Sequence, residues 1–351
     1  MGSSAATNRE CENAMNTMRR GARQESGAGS PADQQGFRSG GRKALVWRHR
    51  IVAGVGAALL LTFGPTDWLD AQSGSPRDKL VVTPAWLAEH INDANLVLLH
   101  VGERAEYDAN HLPGAQHIAM DDVSLPRVQG ELTLQLPPVE ELRSRLAARG
   151  ISDDSRIVVY WGNDWISPAT RIVLALDYAG LGDRTSLLDG GMQAWIAAGS
   201  AVTPEVAPVR PGRLASRPAR DLVVNVDWVA QHAAAPRPGY ALIDARDPVY
   251  YDGVEASQGR NGHIPNARNV AFRELVDESG HIASMASLKQ AFDRAGVKPG
   301  DVVVVYCHIG QQATATLFAA RLLGHEVRLF DGSMQEWARD AARPVEKSAS
   351  R

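Results

Sequence analysis

The sequence predicts an α/β protein built from two tandem copies of one domain, each a parallel sheet with helices on both faces. Three observations lead to this fold class. Four segments recur in the same order in both halves, each half alternates short apolar runs with amphipathic stretches, and 351 residues suffice for about two domains. The composition, with 44% hydrophobic and 22% charged residues, is that of an ordinary globular protein.

The repeat consists of four pairs of matching segments. The distance between partners varies from 142 residues (81 to 223) to 152 residues (111 to 263), and loop insertions explain the drift. The pairs are VVTPAWLAEH (81–90) with VVNVDWVAQH (223–232), HLPGAQHIA (111–119) with HIPNARNVA (263–271), RIVVYW (156–161) with DVVVVYC (301–307), and LLDGGMQAW (187–195) with LFDGSMQEW (329–337). Four matches in one order indicate a duplicated domain.

Within each copy, apolar runs rich in β-branched residues predict buried parallel strands. The amphipathic stretches between them predict helices that cover both faces of the sheet. In chain order, the predicted strands are LVLLHV, IVVYW and TSLLD in the first copy, then ALIDA, VVVVYC and VRLF in the second. The predicted helices are 138–149, 168–179, 287–295 and 313–323.

The repeat divides the chain into four parts. Residues 1–72 are predicted to form a polar leader with a signal peptide or membrane anchor, 80–202 the first domain and 221–342 the second. Between the domains, the Pro-rich segment 203–220 lacks periodicity. We expect it to be an extended linker that runs along the surface of the pair.

The leader has the organisation of an export signal. A basic cluster at 42–50 precedes an apolar run at 51–63, and the polar stretch DAQSGSPRD follows. An apolar run of this length suits a signal-peptide core better than the roughly 20 residues needed to span a bilayer. We therefore expect an exported protein, periplasmic or secreted, whose mature chain begins near residue 72. An uncleaved membrane anchor and a buried core helix are the alternatives.

The net charge and the cysteine content reduce the number of possible functions. A formal net charge of -3 gives no indication of a nucleic-acid partner, and the ten histidines show no metal-ligand spacing. Of the two cysteines, Cys11 lies in the leader, so Cys307 has no partner in the mature chain. An unpaired thiol in an exported chain suggests a reactive residue.

Cys307 occupies the position where open α/β sheets bind ligands. It follows the run VVVVY and precedes HIGQQ and a predicted helix, so the order is strand, short loop, helix. Backbone N–H groups in such a loop and the helix dipole favour an anion, so the thiol should ionise readily and act as a nucleophile. Gly310 would let the loop fold back so that successive N–H groups converge. The alternative is a small buried apolar residue at a strand end.

Together, the tandem repeat and the segments YCHIGQQAT, DARDPVYY, GHIPNARNV and LFDGSMQEW resemble the rhodanese family of sulfurtransferases in its two-domain form. The resemblance covers nearly all of residues 80–340. It implies that the second copy is catalytic through Cys307 and that the first is silent, which agrees with Trp161 in the place of Cys307. It also implies a ping-pong reaction. Cys307 would take sulfur from a donor such as thiosulfate, carry it as a persulfide and pass it to cyanide or a thiol, without a metal or organic cofactor.

The resemblance further implies which residues bind the donor. Arg246, in LIDAR, stands where the family places an arginine that grips the anionic end of the donor, because a planar guanidinium can bond two oxygens. The alternative for Arg246 is a surface salt bridge with Asp247 or Asp252. The loop residues that would surround the donor are His308, Ile309, Gly310, Gln311 and Gln312.

This loop departs from the family pattern. Thiosulfate-using relatives have basic residues directly after the cysteine, and mercaptopyruvate-using relatives have small ones. Here the only titratable group is His308, which could be partly cationic near neutral pH or simply a solvated bystander. We favour thiosulfate, and a thiosulfate:cyanide sulfurtransferase, because the side chains of Gln311 and Gln312 can donate to sulfonate oxygens. 3-Mercaptopyruvate is the alternative donor.

Two other classes of protein are weighed against a sulfurtransferase. Cysteine phosphatases share this fold, but they need an arginine six positions after the cysteine, where Ala313 stands. A purely binding module is disfavoured because Cys307, Gly310 and Arg246 are all present. A sulfur carrier loaded by another protein is not distinguished from a free-standing enzyme. We expect a monomer whose partners are a small-molecule donor and acceptor, with a membrane tether if the leader is uncleaved.

Several other residues that occur in both copies are predicted to be structural. His111 and His263 each precede an apolar residue and a proline, and a role in fixing a turn explains their presence in the silent copy. Asp189 and Asp331, each followed by glycine, are predicted to form turns after a strand.

The segment after Trp161 contains three further candidates. Asp164, Trp165 and Arg171 follow the position that matches Cys307, in a loop two residues longer than its counterpart. We regard these residues as candidates to face the active site across the domain interface.

Overall fold

Each half of the chain forms a five-stranded parallel sheet, as the repeat predicts. The computed structural model describes residues 75–163 and 165–348. The predicted signal peptide or anchor, Cys11 and Asp164 lie outside the described residues. The described residues, which include both sheets, belong to one compact unit. Among the helices of the described residues, none has the length and apolar character that a bilayer crossing requires.

The two sheets follow the same path. The first contains β1 (Val81–Val82), β2 (Leu96–Val101), β3 (Gln116–His117), β4 (Arg156–Trp161) and β5 (Thr185–Leu188), in the order β1-β5-β4-β2-β3. The second contains β6 (Val223–Val224), β7 (Tyr240–Asp244), β10 (Arg268–Asn269), β11 (Val302–Tyr306) and β12 (Val327–Phe330), in the order β6-β12-β11-β7-β10. Between β7 and β10, the segment inserted in the second copy forms an antiparallel hairpin of β8 (Ala256–Ser257) and β9 (Arg260–Asn261).

Helices connect the strands. The helices of the first half are α1 (Pro76–Leu80), α2 (Pro84–His90), α3 (Arg104–Ala109), α4 (Val139–Ala148), α5 (Ile166–Tyr178) and α6 (Gly191–Ala197). Those of the second half are α7 (Val226–Ala234), α8 (Pro248–Tyr251), α9 (Met285–Arg294), α10 (Ala313–Leu322) and α11 (Ser333–Trp337). Short 3-10 turns occur at Met120–Asp122, Gly182–Arg184 and Phe272–Leu275. The four predicted helices correspond to α4, α5, α9 and α10.

The largest difference at a helix end, two residues, occurs at the start of α9, which begins at Met285, and at the start of α5. The sequence places that start at Pro168, whereas the helix begins two residues earlier, at Ile166. Proline is tolerated throughout the first turn because the N–H groups of that turn have no partner within the helix.

The helices α5 and α10 are not amphipathic in the usual sense. Nearly every residue of both is buried, because the two helices pack against each other between the two sheets. At their contact, the hydroxyl oxygens of Thr170 and Thr314 lie 2.8 Å apart. The two domains therefore meet along a pair of buried helices.

Alternation along β11 gives the second sheet two buried faces. Val303 and Val305 belong to a large core that continues into the first domain, whereas Val304 and Tyr306 belong to a separate core with α7 and α11. Cys307 continues the alternation and lies on the side of the large core. Its side chain is therefore placed toward the face that the first domain covers.

The turns after β5 and β12 make reciprocal contacts between the domains. Asp189 accepts a hydrogen bond from the amide of Ile282 at 2.8 Å. Asp331 accepts one from the amide of Leu136 at 2.9 Å. The sequence predicts only turns for these aspartates. The structure contains both turns and gives each aspartate a second role in domain docking.

The repeated histidines have matching contacts in the two copies. Nδ1 of His111 donates to the carbonyl oxygen of Tyr107, and Nδ1 of His263 donates to that of Tyr251, both at 2.7 Å. Each imidazole also stacks on the ring of the same tyrosine. These shared contacts agree with a structural role for both histidines.

The segment 203–220 follows the surface of the first domain. Its backbone forms hydrogen bonds to that domain, from Gly212 to the carbonyl of Ala147 at 2.8 Å and from Arg220 to that of Tyr178 at 3.1 Å. Most of its side chains are exposed. The segment is thus extended and attached to the surface.

Candidate active site

The predicted nucleophile lies at the carboxyl end of the central strand β11. Cys307 is a free thiol with no exposed surface. Its amide donates to the Ser333 hydroxyl oxygen at 3.1 Å, and its carbonyl accepts from the amide of Met334 at 3.0 Å. Both backbone polar groups of the cysteine are therefore held by the start of α11.

Ser333 adopts an unusual backbone conformation to make this contact. Its φ of 51° lies in the left-handed region, which is unfavourable for a serine. The hydroxyl donates to the carbonyl oxygen of Phe330 at 2.9 Å while it accepts from Cys307, and both interactions are buried. These two hydrogen bonds hold the conformation, which sequence reasoning did not predict.

Residues 308–312 form the loop between Cys307 and α10. Within the described part of the chain, the five amide N–H groups of this loop have no hydrogen-bond partner. Several of its carbonyl groups accept hydrogen bonds from residues outside the loop. The carbonyl of His308 accepts from the amide of Gln335 at 3.0 Å, and that of Gln311 accepts from the Thr314 hydroxyl at 2.7 Å. The loop therefore presents unpaired donors and paired acceptors, an arrangement that suits an anion.

Gly310 is required by the path of this loop. Its φ is 85°, and a Cβ atom at this position would lie 2.6 Å from the carbonyl oxygen of Asp331. Both the left-handed conformation and the close approach to a neighbouring backbone exclude a larger residue. The fold-back predicted for Gly310 is thus accompanied by a contact that the sequence did not reveal.

Arg246 lies in the same domain, two residues after the end of β7. Its side chain is fully buried, and its Nη2 contacts the carboxylate of Asp244 at 2.6 Å and the carbonyl oxygen of Gly262 at 2.8 Å. Burial alone would lower the pKa of Arg246, but Asp244 outweighs it and raises the pKa above the ordinary arginine value. Among the described residues, Nη1 of Arg246 has no hydrogen-bond partner although it is buried.

The alternative of a surface salt bridge for Arg246 is wrong. Its partner is the buried Asp244, and Asp247 instead forms a two-pronged pair with Arg273 at 2.7 and 2.9 Å. The reason is geometric, because Asp244 is the last residue of β7, two positions before Arg246, and both side chains are fully buried. One open nitrogen of Arg246 remains available for an anionic group.

His308 is a neutral, hydrogen-bonded residue and not a cation. Its Nδ1 lies 2.6 Å from the hydroxyl oxygen of Ser257, and its ring meets that of Tyr250 edge-on with centroids 4.7 Å apart. Burial, reinforced by Arg246, lowers the pKa of His308 to about 4. The lowered pKa contradicts a partial positive charge near neutral pH, and the contacts with Ser257 and Tyr250 argue against a solvated bystander.

The remaining loop residues are half-buried. Nε2 of Gln311 donates to the hydroxyl oxygen of Ser167 in the first domain, at 3.4 Å. The side-chain oxygen of Gln312 is buried and has no partner within the described residues. Ile309 supplies no side-chain polar group. Gln311 is thus directed toward the domain interface, and Gln312 retains free hydrogen-bonding capacity.

The matching positions in the first domain hold different chemistry. By strand register, Trp161 stands in the place of Cys307 and His100 in that of Asp244, while Gly102 matches Arg246. Burial lowers the pKa of His100 to about 4, so this imidazole is neutral. The first domain therefore lacks both the nucleophile and the guanidinium, as predicted for a silent copy.

Arg171 contacts the loop after Cys307, although the sequence indicated this contact only weakly. It lies on α5 of the first domain, is fully buried and donates to the carbonyl oxygen of Gly310 at 3.3 Å. One signal was present, because Arg171 is the only charged residue in the mostly apolar stretch 165–176. Trp165 packs edge-on against Phe272 with ring centroids 5.9 Å apart.

The fold and the site together define a class of protein. It is a tandem α/β protein in which the second copy has a thiol, Cys307, beside an anion cradle formed by the backbone amides of residues 308–312. The description "Rhodanese-like domain" matches residues 83–198 and 225–340, once in each copy. A Pseudomonas aeruginosa protein named "Probable 3-mercaptopyruvate sulfurtransferase" is 34% identical over 278 residues, which cover 76% of this chain and 97% of the relative. The chain belongs to the rhodanese family.

Other relatives differ in their names. "Sulfur carrier protein TtuD" of Thermus thermophilus is 31% identical and covers 78% of this chain and 99% of its own length. "Putative thiosulfate sulfurtransferase SseB" of Mycobacterium tuberculosis is 31% identical, with 77% and 97% covered. A solved structure of an EanB variant in complex with ergothioneine has a TM-score of 0.70 at 21% identity, and covers 79% of this chain and 72% of that one. This last likeness supports the fold alone.

Proposed function

We propose that this chain is a sulfurtransferase that moves sulfane sulfur from a small anionic donor to a thiophilic acceptor through a persulfide on Cys307. One observation carries the proposal. Cys307, a free thiol, lies at the start of a loop whose five amide N–H groups have no hydrogen-bond partner among the residues that the structure describes. A cysteine persulfide is an anion, and preorganised backbone donors stabilise a negative charge at low reorganisation cost.

With thiosulfate as donor, the reaction has two balanced steps. The Cys307 thiolate attacks the outer sulfur, the sulfur–sulfur bond of thiosulfate breaks, and sulfite leaves with the bonding electron pair. The enzyme then carries a Cys307 persulfide anion. Cyanide attacks the outer sulfur of this persulfide, which yields thiocyanate and restores the thiolate. The backbone amides would hold the negative charge in both forms of the enzyme.

Thiosulfate is the donor we propose, in a thiosulfate:cyanide type of reaction. Its sulfonate oxygens would bind to amide N–H groups of the loop and to Nη1 of Arg246, which has no partner among the described residues. The mycobacterial relative named for this activity supports the choice.

3-Mercaptopyruvate is a second candidate donor. Because His308 is neutral, the loop has no positive side chain to offset the double charge of thiosulfate. A donor with a single carboxylate would then suit Arg246. The Pseudomonas relative named for this activity points in the same direction.

The proposal includes export and excludes a resident cofactor. Sulfur transfer through a persulfide needs only a thiol, a donor and an acceptor, so we propose no metal or organic cofactor. The leader supports a periplasmic or secreted protein, cleaved near residue 72, with a membrane anchor as the alternative. The N-terminal sequence of protein recovered from a periplasmic fraction tests export, and a retained leader in the membrane fraction would contradict cleavage.

Steady-state kinetics with the two donors side by side test the proposed reaction. Thiocyanate formation from thiosulfate and cyanide, and pyruvate formation from 3-mercaptopyruvate and cyanide, give kcat/KM for each donor. We expect the higher kcat/KM with thiosulfate and complete loss of both activities in Cys307→Ser. Turnover that survives in Cys307→Ser would contradict the mechanism, and a higher value with 3-mercaptopyruvate would replace the proposed donor.

A further inference from the structure

Arg171 connects the silent domain to the loop of the catalytic domain. Its Nη1 donates to the carbonyl oxygen of Gly310 at 3.3 Å and to the Asp331 carboxylate at 2.7 Å. Its Nη2 donates to the carbonyl oxygen of Leu134. The guanidinium is completely buried and Asp331 is almost so, with 8% of its side chain exposed. Its Nε is also buried and has no hydrogen-bond partner among the described residues. Breaking the buried pair with Asp331 would be costly, because it would leave an uncompensated charge.

The hydrogen bond to Gly310 fixes the direction of the next amide. In a trans peptide, the C=O of one residue and the N–H of the next point in opposite directions. With the carbonyl of Gly310 held toward Arg171, the N–H of Gln311 points away from the first domain. That N–H is one of the loop donors without a partner among the described residues.

A second carbonyl of the loop is held in the same manner. The carbonyl of His308 accepts from the amide of Gln335 at 3.0 Å, so the N–H of Ile309 is directed the opposite way. The side-chain oxygen of Gln335 in turn accepts from the amide and the hydroxyl of Thr133, at 2.9 and 3.1 Å. Thr133 belongs to the first domain. The carbonyl of Gly310 is therefore held directly by the first domain, and that of His308 by a residue whose side chain contacts the first domain.

The two domains are related by a repeat, but the contact that Arg171 makes has no counterpart at the matching positions of the other domain. The glycines that follow α5 and α10 are Gly180 and Gly324, 144 residues apart, and at this spacing Arg171 corresponds to Ala315. The aspartate that matches Asp331 is Asp189, and its cation is Arg77, at 3.4 Å, from the segment before the first repeat. A buried arginine from α5 thus serves the catalytic loop, and α10 offers no equivalent to the silent loop.

We propose that Arg171 is a positioning residue of the catalytic reaction and that the silent domain serves to hold the persulfide cradle in its anion-binding form. The inference rests on the proposed persulfide chemistry at Cys307. Arg171 does not touch the donor. It acts through the Gly310 carbonyl, which sets the direction of the Gln311 amide, and its positive charge polarises that peptide group.

The test compares Arg171→Lys with Arg143→Lys. Arg143 is a matched control because it is 2% exposed, lies in the same domain, and pairs with Asp153 at 3.1 Å and with a backbone carbonyl, that of Ala179. Two quantities are measured on the full chain. The first is the pH profile of Cys307 alkylation by iodoacetamide, which requires no sulfur donor. The second is kcat and KM for sulfite release from thiosulfate with cyanide as acceptor.

We expect Arg171→Lys to move the midpoint of the alkylation profile to higher pH and to lower kcat about tenfold, with a smaller change in KM. Arg143→Lys should change unfolding but neither the profile nor kcat. If Arg171→Lys keeps the wild-type profile and kcat, the inference is overturned. If wild-type protein releases neither sulfite from thiosulfate nor pyruvate from 3-mercaptopyruvate but the profile still moves in Arg171→Lys, the sulfurtransferase proposal fails while the positioning role stands.

A second variant covers the case in which Arg171→Lys does not fold. Gln335→Met removes the side-chain bond to Thr133 from a half-buried position and leaves the guanidinium in place. We expect the same direction of change in the alkylation profile and a loss of kcat of about threefold, since one anchor is loosened and not removed. A wild-type profile and kcat in Gln335→Met would contradict a cradle held by the first domain.

Discussion

The hydroxyl oxygen of Ser257 lies 2.6 Å from Nδ1 of His308, which attaches the residue after the nucleophile to the inserted β8–β9 hairpin. The imidazole is half-buried and neutral at physiological pH. Consequently the loop offers its backbone amides to an anion, and no charged side chain. The insertion that lengthens the second copy is therefore connected with the site.

The stability of the protein should increase with pH between about pH 4 and pH 6.5. The pKa of His308 is lowered from 6.5 to about 4 in the folded protein, so in this range the unfolded chain binds a proton that the native protein does not. The contribution of His308 to the unfolding free energy is fully present above pH 6.5 and is lost as the pH falls toward 4. His308→Asn should flatten the slope of unfolding free energy against pH, measured by urea unfolding. His100, shifted in the same direction, should leave part of the slope in place. An unchanged slope in His308→Asn would contradict a neutral imidazole in the folded protein.

Substitutions of Arg246 and Asp244 should distinguish an effect on donor binding from an effect on the stability of the fold. Arg246→Gln leaves Asp244 buried without its cation, and we expect a loss of about 3–5 kcal/mol in unfolding free energy. It should also raise KM for thiosulfate at least tenfold, because the open Nη1 is lost. Asp244→Asn is the matched control, because it breaks the same pair but keeps the guanidinium. Equal KM values in the two variants would count against donor binding by Arg246.

Gly310→Ala should be far more disruptive than the same change at Gly300. Both glycines have a φ near 85°, but a Cβ at Gly300 meets open space whereas one at Gly310 lies 2.6 Å from the carbonyl oxygen of Asp331. The conformation alone costs about 1–3 kcal/mol at either position. We expect only Gly310→Ala to exceed this loss in urea unfolding and to reduce kcat. A normal kcat in Gly310→Ala would show that the loop tolerates a shifted path.

Ser333→Ala should weaken both the fold and the reaction. The change leaves the amide of Cys307 and the carbonyl of Phe330 without their buried partners, at a cost of about 1–3 kcal/mol. The control is Ser284→Ala, which removes the N-cap of α9 at a cost of about 1 kcal/mol, remote from the loop. We expect a lower kcat in Ser333→Ala alone. A decrease of similar size in Ser284→Ala would attribute the effect to stability.

The fold and the nucleophile could be predicted from the sequence because both depend on local patterns. Runs such as VVVVY, the strand–loop–helix order around Cys307 and the substitution of Trp161 are visible without knowledge of long-range contacts. The contacts that define the cradle are not local. Arg171 and Asp331 are 160 residues apart, and only the docking of the two domains brings them together.

The protonation state of His308 is the other feature that could not be predicted from the sequence. The pKa of His308 depends on burial against Tyr250 and on the nearby Arg246, neither of which follows from the letters HIGQQ. The salt-bridge alternative for Arg246 failed for a related reason. It considered acidic residues after Arg246, whereas the partner, Asp244, precedes it at the end of a buried strand.

Mass spectrometry of protein incubated with thiosulfate and then freed of excess donor tests the central claim most directly. The account predicts a gain of one sulfur atom on the peptide that contains Cys307, and loss of that sulfur when cyanide is added. Cys307→Ser should show no gain, and Cys11→Ser should behave as wild type. A Cys307 peptide that gains no sulfur from either thiosulfate or 3-mercaptopyruvate would contradict the account.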